Sequence, residues 1–252
     1  MYFDTHAHLD ADAFDADRDE LISSFPSLGT SRVLNASCDM ESSYKTVELC
    51  RRYGFIYGAV GFHPEAAARM RDGDIEKIAE LTKNKNIVAI GETGLDYYWD
   101  SVSRDVQQKV FSAQAELAYE LSLPLIVHDR EAHRDCFDIL SRFPGIKAVY
   151  HCFSGSVEYA AELVKKGYFM SFGGAVTFKN AKAAPEVLKS IPRERVMLET
   201  DCPYMAPVPY RGKRNHPGLV PHIAEKIAEL WEVSCEEVGR ITTENAVRFF
   251  NI

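Results

Sequence analysis

The segment Asp4-Thr5-His6-Ala7-His8 sets two imidazoles two residues apart. In an extended chain the side chains alternate faces, so His6 and His8 project to one side and can share a metal ion. By itself such a pair is more often incidental, and a histidine on an apolar strand is commonly a satisfied core residue. Four further donors fall where apolar runs stop: Glu92 closes IVAIGE, His128 closes LIVH, His151 closes AVYH, and Asp201 follows VMLET. If those runs are barrel strands, their C-terminal ends converge on one mouth, the face where active sites of that architecture are built. Four imidazoles and two carboxylates exceed the needs of one tetrahedral ion. They suit two divalent ions bridged by a carboxylate, and Glu92, from the middle of the set, is the natural bridge. Mixed nitrogen and oxygen donors favour Zn, Mn or Ni, with Mg less suited to imidazole but allowed. No thiolate is needed, so Cys152 and Cys202 read as packing residues or neighbours of the ligands.

The elements that must position these groups are legible as a repeat. Short β-rich runs begin near Tyr2, Arg32, Phe55, Ile87, Leu125, Ala148, Tyr168 and Val196, with helical periodicity between them. Predicted helices cover Asp105 to Leu121 (apolar face Val106, Val110, Ala113, Leu117 and Leu121, stopped by Pro124), Tyr44 to Tyr53, Val157 to Lys166, and Val220 to Trp231. Gly54 and Gly167 follow the second and third of these, and Asp74, Asn180 and Ser234 are expected N-caps. Continuous apolar strands alternating with helices predict a parallel sheet, and eight of them predict an α/β fold closed as a single (β/α)8 TIM-type barrel domain over 1–252. Pro203 to Pro221, with five prolines and three cations, is expected as the loop after the last strand.

Composition bounds the partners. The 252 residues are 46% hydrophobic and 26% charged, enough to build a large core, which excludes a disordered, collagen-like or disulfide-stapled chain. A net charge of −8 offers no electrostatic blanket for nucleic acid or membrane, so any polyanionic substrate must be met by local cations. Neither a cationic leader nor a long apolar stretch is present, and the six cysteines contain no CxxC pair; a cytoplasmic location is expected, with no membrane and no evident obligate protein partner.

Further groups collect at the same predicted mouth. His63 closes GAVGFH and can bond a substrate phosphate, protonate a leaving oxygen, or pack. Glu199 shares a strand face with Asp201 and can orient a ligand histidine or bond to backbone. Arg130, Arg211, Lys213 and Arg214 are the local cations a phosphodiester needs, Arg211 foremost because its fork fits phosphate oxygens. Tyr97, Tyr98 and Trp99 can stack on exposed bases or pack a lid. Phe172-Gly173-Gly174 suits either close substrate approach or a tight turn.

The segments FDTHAHLD, GFHPE, GETGLDYYW, VHDREA, HCFSGS, SFGGAVTFKNA, LETDCPYMAPVPYRGKRNHP and TTENAVRFF together resemble, in order and across nearly the whole chain, the TatD family of metal-dependent deoxyribonucleases. The resemblance implies a metal-dependent hydrolase barrel acting on DNA, with 3′-to-5′ exonuclease activity on single-stranded or frayed ends. It also implies metal ligation by His6, His8, Glu92, His128, His151 and Asp201. His216 departs from it, since a glutamate is more usual there. On this reading two ions activate a water for attack on phosphorus, with Asp201 as base, His63 at the leaving group, Glu92 bridging, and Arg130, Arg211 and Lys213 holding substrate. Two rivals remain: an amide or ester hydrolase, such as an aminoacyl-ester deacylase, and a metal-holding interaction protein without turnover.

Overall fold

A computed structural model describes residues 1–99 and 101–252. Eight strands, β1 (Tyr2–Ala7), β2 (Thr30–Ala36), β3 (Ile56–Val60), β4 (Ile87–Asp96), β5 (Leu125–Arg130), β6 (Ala148–Tyr150), β7 (Phe169–Phe172) and β8 (Val196–Leu198), lie in one sheet in chain order. Every predicted run became a strand. The helices are α1 (Arg18–Ser24), α2 (Met40–Arg52), α3 (Asp74–Leu81), α4 (Arg104–Leu121), α5 (His133–Leu140), α6 (Val157–Lys165), α7 (Ala183–Ser190), α8 (Val220–Trp231) and α9 (Cys235–Phe250). Parallel strands alternating with helices in that order make the fold a (β/α)8 TIM-type barrel. No helix among the described residues is long and apolar enough to cross a membrane.

Two compact units make up the chain, Met1–Asn35 with Cys152–Phe249, and Ala36–His151 with Phe250–Ile252. In the first, the core gathers Phe3, Phe14, Phe25, Leu163, Met170, Leu198 and Ile223, all buried. The segment after β8 is hydrogen-bonded to β1, the Asp201 N–H to the His6 carbonyl and the His8 N–H to the Cys202 carbonyl, each 2.9 Å. In the second unit, Ile56, Ile78, Ile90, Phe111, Leu125 and Ile126 form the core.

Some predicted boundaries and faces shift. The strand β4 continues past Glu92 to Asp96, and β5 past His128 to Arg130, so these two donors sit inside strands rather than at their ends. A polar residue closes an apolar run without closing a strand. On α4 the buried face is Gln107, Val110, Phe111, Gln114, Ala115, Leu117 and Ala118, while Val106 and Leu121 are exposed. Two buried amides therefore occupy the face that periodicity assigned to apolar residues. Gln107 exchanges bonds with both backbone groups of Asp96, and Gln114 does the same with Phe62. Each satisfies strand-end groups that would otherwise lie unpaired away from water.

Capping also differs from expectation. Ser234 receives the Glu237 N–H as predicted, whereas Asp74 is the first residue of α3, capped by Gly73, and α7 begins three residues after Asn180. Gly167 takes the left-handed conformation just past α6, and α8 starts and stops where the periodicity put it. The stretch after β8 is irregular until a short 3-10 turn, Pro217–Leu219, leads into α8.

Candidate metal centre

In the second unit, three imidazole rings converge on one carboxylate oxygen. Glu92 Oε1 lies 2.7 Å from His151 Nε2, 2.8 Å from His128 Nδ1 and 3.5 Å from His63 Nε2. All four side chains are buried or nearly so. Backbone geometry brings them together. The β4–β5 register slips between Ile90 and Thr93, a bulge of the kind that re-aims a side chain, and Glu92 is in it. Gly94 sits at φ +144 directly against the His128 backbone, where any Cβ would collide with the carbonyl, so only glycine lets β4 approach β5 this closely.

The ring of His128 has a fixed orientation. Its Nε2 faces Asp96 Oδ2 at 2.9 Å, leaving Nδ1 toward Glu92, His151 and His63. Burial opposes charge on this ring, but the carboxylates of Asp96 and Glu92 outweigh it and raise the pKa above the ordinary value. Burial likewise opposes charge on Asp96, yet the His128 bond and the backbone N–H groups of Trp99 and Tyr98 hold its carboxyl below the usual range. His63 accepts the Glu65 N–H at Nδ1 (3.2 Å), which puts the proton of its neutral ring on Nε2, the nitrogen that faces the cluster.

A second donor set lies in the first unit. His6 Nε2 and His8 Nε2 are 3.2 Å apart, and Asp201 Oδ1 is 3.8 Å and 3.3 Å from them. The alternation of an extended segment put both rings on one side, as the spacing predicted. Asp201 adopts φ +54, a left-handed conformation that aspartate tolerates better than most residues. Asp4, fully buried beneath this segment, accepts the Thr200 N–H (2.9 Å) and hydroxyl (2.6 Å). Burial pushes its pKa up to about 8 although those bonds pull the other way. From the other side Asn215 donates to the carbonyls of Thr200 and Tyr204.

The donor chemistry fits a divalent cation. His128 Nδ1 and His151 Nε2, 3.2 Å apart and each within 2.8 Å of Glu92 Oε1, make an imidazole and carboxylate mixture of the kind that holds Zn, Mn or Ni. Stacking several imidazole nitrogens on one buried carboxylate oxygen is a poor arrangement of protons and a good one of lone pairs.

The remaining candidates divide. Glu199 accepts the Cys152 N–H at 2.7 Å and the Ser171 hydroxyl, so it anchors the residue that follows His151. Arg214 grips Asp17 through both terminal nitrogens (2.8 and 2.6 Å) and donates to the Ala13 carbonyl, so its fork is already engaged. Arg211 is exposed and stacked over Phe178 at 3.8 Å, and Lys213 is exposed. Tyr97 packs, its hydroxyl on Asp135 at 2.6 Å, while Tyr98 and Trp99 stay half exposed beneath Arg130. Gly174 lies against the Met205 carbonyl with no room for a Cβ, a close approach of chain to chain. Cys202 is buried and Cys152 faces Met205 across 4.0 Å, both in packing roles. Asp96 is the functional residue that run-end reasoning missed. Its signal was its place in the same GETGLD segment as Glu92.

Over residues 3–251 the chain matches the family model described as TatD related DNase. It is 46% identical, over the full length of both chains, to the uncharacterized metal-dependent hydrolase YabD of Bacillus subtilis (strain 168). With the uncharacterized metal-dependent hydrolase YcfH of Escherichia coli (strain K12) it shares 34% identity over 99% of this chain and 95% of that one. Among solved structures, the TatD homolog YjjV from Escherichia coli k12 superposes with a TM-score of 0.93 at 28% identity, covering 100% of this chain and 98% of that one.

Proposed function

The chain belongs to the TatD family of metal-dependent hydrolases, and from that premise we propose that it hydrolyses phosphodiester bonds of DNA, trimming single-stranded or frayed 3′ ends. The observation that carries the proposal is the approach of three imidazole nitrogens to Glu92 Oε1 within 3.5 Å. On this reading His6, His8, Glu92, His128, His151 and Asp201 would hold two divalent ions. Such ions, when bound, lower the pKa of a coordinated water and neutralise charge on phosphoryl oxygens.

The chain's own residues supply the rest. Asp201, a largely buried carboxylate beside His6 and His8, accepts the proton of the attacking water. His63 carries its proton on Nε2, the right atom to donate to the leaving oxygen or to a phosphate oxygen. Asp96 keeps the His128 ring from turning. Arg130, Arg211 and Lys213 offer local positive charge on a chain whose net charge is −8. That balance predicts a short footprint and weak, salt-sensitive affinity for duplex. Six free cysteines accord with a reducing cytoplasm as the working compartment.

The deciding experiment strips the protein with a chelator, adds metals back singly, and follows 5′-labelled oligonucleotides, a small phosphodiester and an acylated amino acid in parallel. Stepwise shortening of single strands from the 3′ end is expected. Cleavage of the acylated amino acid alone would move the chain to the ester and amide hydrolases.

A further inference from the structure

Two large aromatic side chains stand half exposed immediately after β4: Tyr98 and Trp99 are each 50% accessible, with rings edge to face at 4.8 Å between centroids. Exposure of that size on adjacent aromatics costs hydrophobic free energy, and here the backbone is built to maintain it. The N–H groups of Tyr98 and Trp99 both donate to Asp96 Oδ1, at 3.0 and 3.1 Å. The other oxygen of that carboxylate holds His128. Above the rings lies Arg130, its guanidinium 3.8 Å from the Tyr98 centroid and 5.6 Å from that of Trp99. Arg130 is itself exposed and has no carboxylate partner among the described residues, in contrast to Arg214 on Asp17.

From this juxtaposition we infer that Tyr98, Trp99 and Arg130 form a stacking subsite for one nucleobase of a single-stranded nucleic acid, with Arg130 donating to the adjoining phosphate. The inference rests on the phosphodiesterase reading for its biological sense and not for its geometry. A planar base adds to an aromatic face without hydrogen-bond readout, so the subsite is tolerant of sequence. An arginine seated over an aromatic ring keeps its outward N–H donors for an anion. Because one carboxylate fixes both the backbone of the platform and the ring of His128, a base seated there sets its phosphate in register with the ligand cluster.

The test compares the octamer dT8 with an octamer whose two 3′-terminal nucleotides lack bases. Trp99→Ala and Tyr98→Ala should each raise KM for dT8 by about tenfold, leave kcat nearly unchanged, and leave the base-free substrate unaffected; Trp99→Phe should restore most of the loss. Equal effects on both substrates, or on neither, overturn the subsite. A binding readout separates it from the catalytic reading. The chain has two tryptophans, and Trp231 is buried, so fluorescence of wild type minus the Trp99→Phe variant isolates Trp99. Quenching by dT8 but not by the base-free octamer supports the subsite even if no oligonucleotide is cleaved, an outcome that would sink the nuclease proposal alone. Cleavage of dT8 without quenching sinks the subsite alone.

Discussion

Asp96 Oδ2 and His128 Nε2 lie 2.9 Å apart, which ties the ring proton to the carboxylate and commits Nδ1 to the face shared with Glu92. A histidine that ligates through one nitrogen and donates from the other is held in one tautomer and one orientation, and its basicity rises. Asp96→Ala should therefore weaken metal affinity by about 10–100-fold, measured by Zn or Mn titration of chelated protein with circular dichroism as a fold control. Asp96→Asn should fall between. Its single oxygen can serve either the His128 ring or the N–H groups of Tyr98 and Trp99. An Asp96→Ala protein with wild-type affinity would show that His128 needs no such partner.

Asp201 combines a largely buried carboxylate with a left-handed backbone, φ +54. Asparagine tolerates that conformation, so Asp201→Asn changes basicity while sparing the turn. Turnover is expected to fall about 10²–10⁴-fold with bound metal retained. Metal content by elemental analysis must accompany the kinetics. Unchanged turnover at full metal content would remove Asp201 from the role of base, and loss of metal would make it a ligand above all.

Much of this architecture was legible in the residues because parallel strands bury both faces and so read as apolar runs, one per βα unit. The alternation of His6 and His8 survived into the fold for the same reason, a fixed period of two. What periodicity could not deliver were the positions where a polar group pairs with backbone. Gln107 and Gln114 look like solvent-facing residues until Asp96 and Phe62 offer them main-chain partners from distant sequence. Glu92 and His128 look like strand ends because each polar residue closes an apolar run, although Gly91 and Gly94 carry β4 onward through a bulge. Arg214 illustrates a third limit. Nothing local distinguishes it from Arg211, and only folding reveals that Asp17 has claimed it.

That difference between the two arginines is measurable. Arg211 has a ring contact and no acidic partner among the described residues, so its donors are available, whereas the Arg214 fork is closed on Asp17. Arg211→Ala should raise KM for single-stranded substrate severalfold and flatten its salt dependence. Arg214→Ala should leave KM in place and lower the melting temperature slightly, since surface pairs contribute little. A larger KM effect from Arg214→Ala than from Arg211→Ala would mean that Asp17 releases its partner when substrate arrives.

His216 stacks on Phe25 with centroids 6.5 Å apart and planes 7° from parallel, and its Nδ1 is buried without a hydrogen-bond partner among the described residues. Burial, followed by the nearby charge of Arg214, lowers its pKa below the ordinary 6.5. A base whose folded pKa is depressed is neutral in both states at high pH. As pH falls through the unfolded value the unfolded chain takes up a proton that the folded chain resists, so stability is lost from about 6.5 down to the folded pKa and no further. His216→Phe keeps the stack and deletes the titration. Its melting temperature relative to wild type should be constant above about pH 7.5 and should rise as pH drops below the unfolded value. Removing the Arg214 charge in an otherwise wild-type chain should shrink that rise. A difference between wild type and His216→Phe that stays flat from neutral to acid pH would show that His216 protonates in the folded chain as readily as in the unfolded one.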